Sequence, residues 1–449
     1  MYKMKSDGTN INDISKLEKL TNLSGELVKS GQDLIDNIPS ISPILDRSYQ
    51  LTSLEEMQSK IPWDTTVIIA YEDFISIKFA FVNAFSFDPI ALRIDEDDRW
   101  RLDAIIKSAA NPLKPFDYEN ANWVFSKIFK SNEDILNNKQ NIVFLPSKSM
   151  FNFPISLLHN GNKIPENINS TQEIYDPNGF LIDNYYISYA VDFSNELFSN
   201  NDGKLPIGAI YNAVDSKTFF AIADPYLENN NASVMRGISF EDVGKLELDK
   251  LDFKSLPETL DEVNAAAKYF KKDNVKILSG KKATKENIIS SQLIDYDVLM
   301  FSTHGVSPGV IEGFEGAGLL LSLPIEPSET LSFEDALLTP NDILNLKLDA
   351  DIVILNACNS GLSNKVNAPG LTGLAQSFLV SGSQSVMVSH WPISSVTTKQ
   401  ITKQMFQNIE NDTKSSFNQA LTNAQLEIKS NPKTQHPFYW APYNIYGNF

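Results

Sequence analysis

Two short apolar runs set the pattern of the second half of this chain. Asp297-Val298-Leu299-Met300-Phe301-Ser302 leads into Thr303-His304-Gly305, and Asp351-Ile352-Val353-Ile354-Leu355 leads into Asn356-Ala357-Cys358-Asn359-Ser360-Gly361. Each run is apolar at consecutive positions, too short for a helix and flanked by turn residues. That pattern predicts a strand buried on both faces, as in a parallel sheet. Further strands are predicted over 219–223, 275–278 and 384–389. Between the strands, apolar residues recur at helical spacing over 257–270, 284–291, 341–346 and 371–381. Pro257, Glu258, Asp261 and Glu262 mark the first of these helices at its start, where proline costs nothing and acidic side chains meet the positive helix end. Alternating strand and helix predicts an α/β fold with a doubly wound, mostly parallel sheet. Helices over 396–409 and 415–429 follow. The aromatic, β-prone tail 436–447 is expected to return as an edge strand.

The first half reads less regularly. Leucines 17, 20, 23, 27 and 34 place an amphipathic helix over 14–38, stopped by Pro39, Ser40 and Pro43. A shorter helix covers 51–60. Runs rich in Val, Ile, Phe and Thr over 65–71 and 75–83 predict a hairpin. Helices follow over 98–108 and 120–130, with Trp100, Ile105, Trp123 and Phe129 as apolar anchors, and strands over 141–145 and 185–191. The polar stretch 200–203 reads as a linker. Three units are expected: a helical segment 1–60, an α/β half 61–200 and a second α/β half 201–449.

Charge and composition narrow the function. Lys plus Arg number 38 against 56 for Asp plus Glu, a net charge of -18 over 449 residues. Such a balance disfavours nucleic acid and anionic membrane as main partners. No apolar run reaches the roughly 18 residues that cross a bilayer, and the first residues carry no apolar signal region. A cytoplasmic location is therefore expected. With one cysteine the chain forms no internal disulfide and no multi-cysteine metal site. No histidine pair has helical ligand spacing, and neither a Gly-Lys-Ser/Thr loop nor a Gly-x-Gly-x-x-Gly turn is present, so no metal and no nucleotide cofactor is expected.

The chemistry concentrates at two strand ends. In open α/β sheets ligands bind at the carboxyl ends of strands, where both His304 and Cys358 stand. Should the two strands be neighbours, a thiol meets an imidazole, the minimum for covalent attack on a carbonyl. A free cysteine is more commonly a buried structural residue; the matched placement of His304 favours a nucleophile. Gly305 would let a carbonyl approach, and its N–H with that of Cys358 could form an oxyanion hole. Of the other histidines, His390 belongs to the same edge as a pocket residue, while His159 and His436 have weaker cases.

Short motifs in a fixed order then make the chain recognisable. Ile142-Val143-Phe144-Leu145-Pro146 with Phe153-Pro154, Leu256-Pro257 with Glu262, Ala283-Thr284, Ser302-Thr303-His304-Gly305, Asn356-Ala357-Cys358-Asn359-Ser360-Gly361, Ser389-His390-Trp391-Pro392 and His436-Pro437-Phe438-Tyr439-Trp440-Ala441 resemble the CHAT domain, a bacterial relative of caspases and separases. The likeness runs over about 51–449. The 54-residue separation of His304 and Cys358 also fits the ~50-residue interval of caspase-type enzymes. The resemblance implies a caspase-like fold with a degenerate first half and a cysteine endopeptidase built on the dyad His304 and Cys358. Gly305 and Cys358 would supply the oxyanion hole, and Asn356, Ser389, His390 and Trp391 would line the substrate groove. It also implies a protein substrate, a regulatory protein partner and a role in bacterial defence against phage. Two departures bear on specificity. Asn356 stands where related metacaspases often carry an acid, and Ile393-Ser394-Ser395 follows Pro392 where many relatives are acidic. Cleavage after a neutral or apolar residue is expected, with Glu312 or Glu315 the remaining sources of charge. The loops 306–316 and 362–370 are expected to order on activation. The competing expectations are an inactive interaction scaffold that retains the fold, and another thiol-based acyl transfer.

Overall fold

The computed structural model describes residues 54–72, 76–88, 93–129, 133–162, 176–191, 216–226, 256–306, 317–322, 333–357, 373–391, 395–412 and 415–447. The expected helix over 14–38, the linker at 200–203, Cys358 with the loop 362–370, and Glu312 and Glu315 lie outside the described residues. Residues 53–449 pack as one unit.

The first half begins with α1 (Leu54–Lys60) and the expected hairpin, β1 (Thr65–Glu72) with β2 (Ser76–Val82). They pair antiparallel from Val67 opposite Val82 to Glu72 opposite Ile77. Small edge strands β3 (Phe87–Asp88) and β4 (Arg93–Asp95) both join β2. Helices α2 (Trp100–Ala109) and α3 (Tyr118–Phe129) follow, then β5 (Asn141–Leu145) and β6 (Tyr186–Ala190), stacked parallel on β1. Ile105 and Phe129 are core residues, but Trp100 is 54% exposed. Its ring lies against the Arg101 guanidinium, 4.7 Å away, so the large apolar residue opening α2 covers a cation instead of the core.

The second half carries β7 (Phe219–Pro225), α4 (Pro257–Ala267), β8 (Val275–Gly280), α5 (Lys285–Ile289), β9 (Val298–Ser302), β10 (Gly305–Val306), β11 (Gly318–Leu320), β12 (Leu337–Leu338), α6 (Pro340–Leu344), β13 (Ile352–Leu355), α7 (Gly373–Val380), β14 (Ser385–Ser389), α8 (Ser395–Asn411), α9 (Phe417–Ser430), α10 (Pro437–Trp440) and β15 (Tyr443–Gly447). Among the described residues the main sheet has twelve strands, in the order β3-β2-β1-β5-β6-β15-β14-β13-β9-β7-β8 with β4 beside β2. From β14 to β8 every pairing is parallel. Every residue of β9 and β13 is buried, and each large apolar side chain so placed contributes roughly 1.5–3 kcal/mol.

Side-chain alternation puts helices on both faces. Phe301 meets Phe378 of α7 at 5.2 Å between ring centroids, while Phe219 meets Phe406 of α8. Helix termini are set locally. Thr339 and Ser416 form capping boxes with Asp342 and Gln419, and Thr284 caps α5. The amino ends of the central strands are pinned too: Thr218 N donates to Asp297 Oδ2 at 2.7 Å, and Lys217 bridges Asp297 and Asp351.

The tail corrects an expectation. Residues 437–440 make the short helix α10, and β15 is a central strand, antiparallel to β14 and parallel to β6. All five of its residues are buried. It is the only link between the two halves of the sheet among the described strands. Gly447 is required by closeness: a Cβ there would come within 2.7 Å of the Gln384 carbonyl oxygen.

Candidate active site

The carboxyl ends of β7, β9, β13 and β14 form one edge. Strand β9 runs between β7 and β13 with Leu355 opposite Phe301 and Ala223 opposite Ser302. The pairing continues past the end of β13, because Asn356 N donates to Phe301 O at 2.9 Å. Beyond Ser302 the chain enters a second, three-stranded antiparallel sheet, β10-β11-β12. This sheet holds His304 in place. Thr303 Oγ1 donates to Leu320 O at 2.6 Å, and Leu320 N donates to His304 O at 2.9 Å. Ser322, just past β11, receives Tyr226 N at 2.7 Å and donates to Gly280 O at 2.8 Å. The ends of β7, β8 and β9 are thereby fastened to one another. His304 is 4% exposed.

The structure gathers His304, Gly305, Asn356 and Ser389 to Trp391 at this edge, and Cys358 follows Ala357 outside the described residues. All four groove residues expected from sequence have buried side chains. Ser389 Oγ donates to Ala357 O at 3.1 Å, tying β14 to the end of β13. Trp391 Nε1 donates to Phe438 O at 3.2 Å. His390 Nε2 accepts from Asn444 Nδ2 at 2.8 Å, with Tyr446 Oη 3.3 Å away. Burial without a compensating charge pushes this imidazole down to about 3, so His390 is neutral and structural. Asn356 turns its amide inward, donating to Glu262 Oε1 of α4 and to Thr402 Oγ1 of α8, the latter at 3.4 Å. The backbone here is engaged as well, with Asn356 N on Phe301 O and His390 N donating to Pro442 O at 2.8 Å.

His159 and His436 lie elsewhere. His159 Nδ1 accepts from Gly161 N at 3.0 Å, and its Nε2 is 2.8 Å from Asp176 O. His436 caps α10, accepting from Phe438 N at Nδ1. Glu262, in sequence a helix-start acid and part of the Leu256-Pro257 motif, carries no sign there of a bond to Asn356. It is wholly buried, and its link to Asn356 spans 94 positions. Among the described residues no cluster of three or more His, Cys, Asp and Glu could hold a metal ion, and no helix is long and apolar enough to cross a membrane.

Fold and edge together define an α/β protein with a histidine at the carboxyl end of a central parallel strand. The chain belongs to the CHAT domain family, whose model matches residues 120–448. It is similar to tetratricopeptide repeat protein 28 of Mus musculus, 26% identical over 195 residues, 38% of this chain and 8% of that protein. The Homo sapiens protein of the same name is 31% identical over 121 residues, 27% of this chain and 5% of that protein. The chain thus corresponds to a small part of these relatives' length. Among solved structures it is similar to the Arg-specific cysteine proteinase gingipain R, at a TM-score of 0.36 and 11% identity over 77% of this chain and 73% of that one. The Saccharomyces cerevisiae separase–securin complex matches at a TM-score of 0.40 and 12% identity, over 100% of this chain and 26% of that one. The α/β architecture stands on the strand order itself.

Proposed function

We propose that the protein is a cysteine endopeptidase whose dyad is His304 and Cys358. The observation that carries this reading is the register of β13 on β9. Partners from Ile352 opposite Val298 to Leu355 opposite Phe301 keep one constant offset of 54 positions. Counted three positions further, the same offset pairs 358 with 304. Three positions beyond the paired ends of two adjacent parallel strands, a thiol and an imidazole would come within reach of one peptide carbonyl.

In the reaction His304 takes the Cys358 proton as the sulfur attacks the scissile carbonyl carbon. The resulting oxyanion is held by the N–H groups of Gly305 and Cys358. Collapse breaks the C–N bond, the leaving amine takes the proton from His304, and water hydrolyses the thioester to release the acid and restore the thiol. The substrate is an extended protein segment laid along this edge of the sheet. Asn356 offers it no carboxylate, and Glu262 is committed to that amide, which supports a neutral or apolar residue before the cleaved bond. Family kinship suggests control by a separate protein partner, a cytoplasmic setting and a part in bacterial defence against phage.

The single cysteine makes the test clean, since intact mass reports only Cys358. A thiol paired with an imidazole alkylates on the order of tenfold or more faster than free cysteine near pH 6, and His304→Ala removes that advantage. A wild-type thiol no faster than free cysteine, and indifferent to His304→Ala, would overturn the proposal.

A further inference from the structure

We infer that Glu262 is a positioning residue for the nucleophile, acting through Asn356; the inference rests on the dyad reading above. A carboxylate with no exposed surface is costly to bury unless its oxygens are hydrogen-bonded. The rest of the buried face of α4 is Thr259, Val263, Ala265 and Ala266, so packing alone calls for nothing charged there. Glu262 Oε1 instead accepts from Asn356 Nδ2, the same nitrogen that lies 3.4 Å from Thr402 Oγ1. One amide thus joins α4, α8 and the end of β13. Asn356 N meanwhile bonds Phe301 O at 2.9 Å, three residues before His304, and Asn356 itself stands two residues before Cys358. The residue Glu262 grips therefore makes the last described backbone bond between the end of β13 and β9.

The two other acidic residues of α4 show what this carboxylate adds. Glu258 receives Ser395 Oγ at 2.8 Å, and Asp261 pairs with Lys399 at 3.1 Å. Both fasten α4 to α8 from the outer side of the interface, and the Asp261–Lys399 pair is solvent-exposed and worth little. Only Glu262 reaches through to the strand end. An amide held from two helices has its orientation set, and with it the direction in which the chain leaves β13. A nucleophile displaced by about 1 Å can cost on the order of a hundredfold in rate.

The experiment exchanges the pair. Three variants, Asn356→Asp, Glu262→Gln and the double Glu262→Gln/Asn356→Asp, are alkylated across pH 5–9 at a temperature well below each variant's unfolding midpoint, beside wild type and His304→Ala. Asn356→Asp sets two carboxylates against each other and is expected to slow alkylation near pH 6 by on the order of tenfold to a hundredfold, with the pH midpoint moved towards that of free cysteine. Glu262→Gln keeps an acceptor without its charge and loses about threefold to tenfold. The double variant restores an amide donating to a carboxylate with the roles reversed, and returns to within about threefold of wild type. Where Asn356→Asp does not fold, Glu262→Gln decides alone. Folded single variants with the wild-type rate and pH midpoint, while His304→Ala is slow, would make Glu262 a filler of the core and leave the dyad standing. A wild-type thiol that ignores His304 would remove both.

Discussion

The two halves of the main sheet are built alike and face opposite ways. In each, apolar strands stack parallel under amphipathic helices. Because β15 pairs parallel with β6 and antiparallel with β14, strands β1, β5 and β6 run against β14, β13, β9 and β7. Loops at the carboxyl ends of the first-half strands therefore lie along the opposite edge from His304. Polar groups on that edge are spent on the fold. Ser147 Oγ and Ser149 N both donate to Glu72 Oε2, and Ile155 N donates to the Tyr189 hydroxyl at 2.8 Å. His159, packed edge-to-face with Tyr118 and Phe180, has both ring nitrogens engaged by backbone, and burial lowers its pKa. A buried histidine after a strand is thus no sign of chemistry by itself. What separates His304 is its partner strand, whose next residues in register lead to the cysteine.

The sharpest way to break this contrast is to exchange roles between the two histidines. Removal of His304 as an alanine is expected to slow peptide cleavage by on the order of 10²–10⁴. His159→Asn leaves two backbone groups unsatisfied and costs about 1–3 kcal/mol of stability. Cleavage per folded molecule, measured below the lowered unfolding midpoint, stays within about twofold of wild type. A loss of cleavage in folded His159→Asn as deep as that of His304→Ala would erase the distinction between the two edges.

His390, at the same edge as His304 yet structural, gives a second and smaller effect. Its pKa is pushed down from 6.5 to about 3 by burial, so the folded protein holds it neutral. Stability from this group is complete above about pH 6.5. As pH falls the unfolded chain takes up the proton first, and the contribution drains away until the folded pKa is reached. Between pH 7 and pH 5 the loss is about 2 kcal/mol. Denaturant midpoints at the two pH values should therefore differ less in His390→Gln than in wild type, by about that amount. Equal differences in both proteins would place the charge change on other groups.

Much of this arrangement was readable in the chain because it is local. The apolar runs of β9 and β13, the proline and acids opening α4, and the caps of α5, α6 and α9 each announce themselves within a few residues. His304 at a strand end was legible for the same reason. Long-range pairing left no such trace. Tyr443-Asn444-Ile445-Tyr446-Gly447 mixes polar and apolar positions as an edge strand does; its central place depends on Ala190, which faces Gly447 across the β6 pairing. The two- and three-residue strands β10, β11 and β12 are too short to show a period, although they hold His304. Glu262 reads as a helix-start acid, and its purpose appears only when Asn356 arrives from the end of β13.

Trp100 tests the limit of pattern reading and the smallest effect. Helical spacing groups it with Ile105 as an anchor of α2, but Ile105 is wholly buried and Trp100 is mostly exposed over Arg101. Arg101 also lies 4.5 Å from the Trp123 ring and donates to Asp98, so it keeps partners when Trp100 is removed. Ile105→Ala opens a cavity in the core and should cost about 2–5 kcal/mol. Trp100→Ala gives up an exposed cation–π contact and should cost less than about 1 kcal/mol. Chemical denaturation of the two variants side by side checks the ratio. A loss for Trp100→Ala as large as for Ile105→Ala would mean that the indole is held by the core after all, and the anchor read from the spacing would be restored.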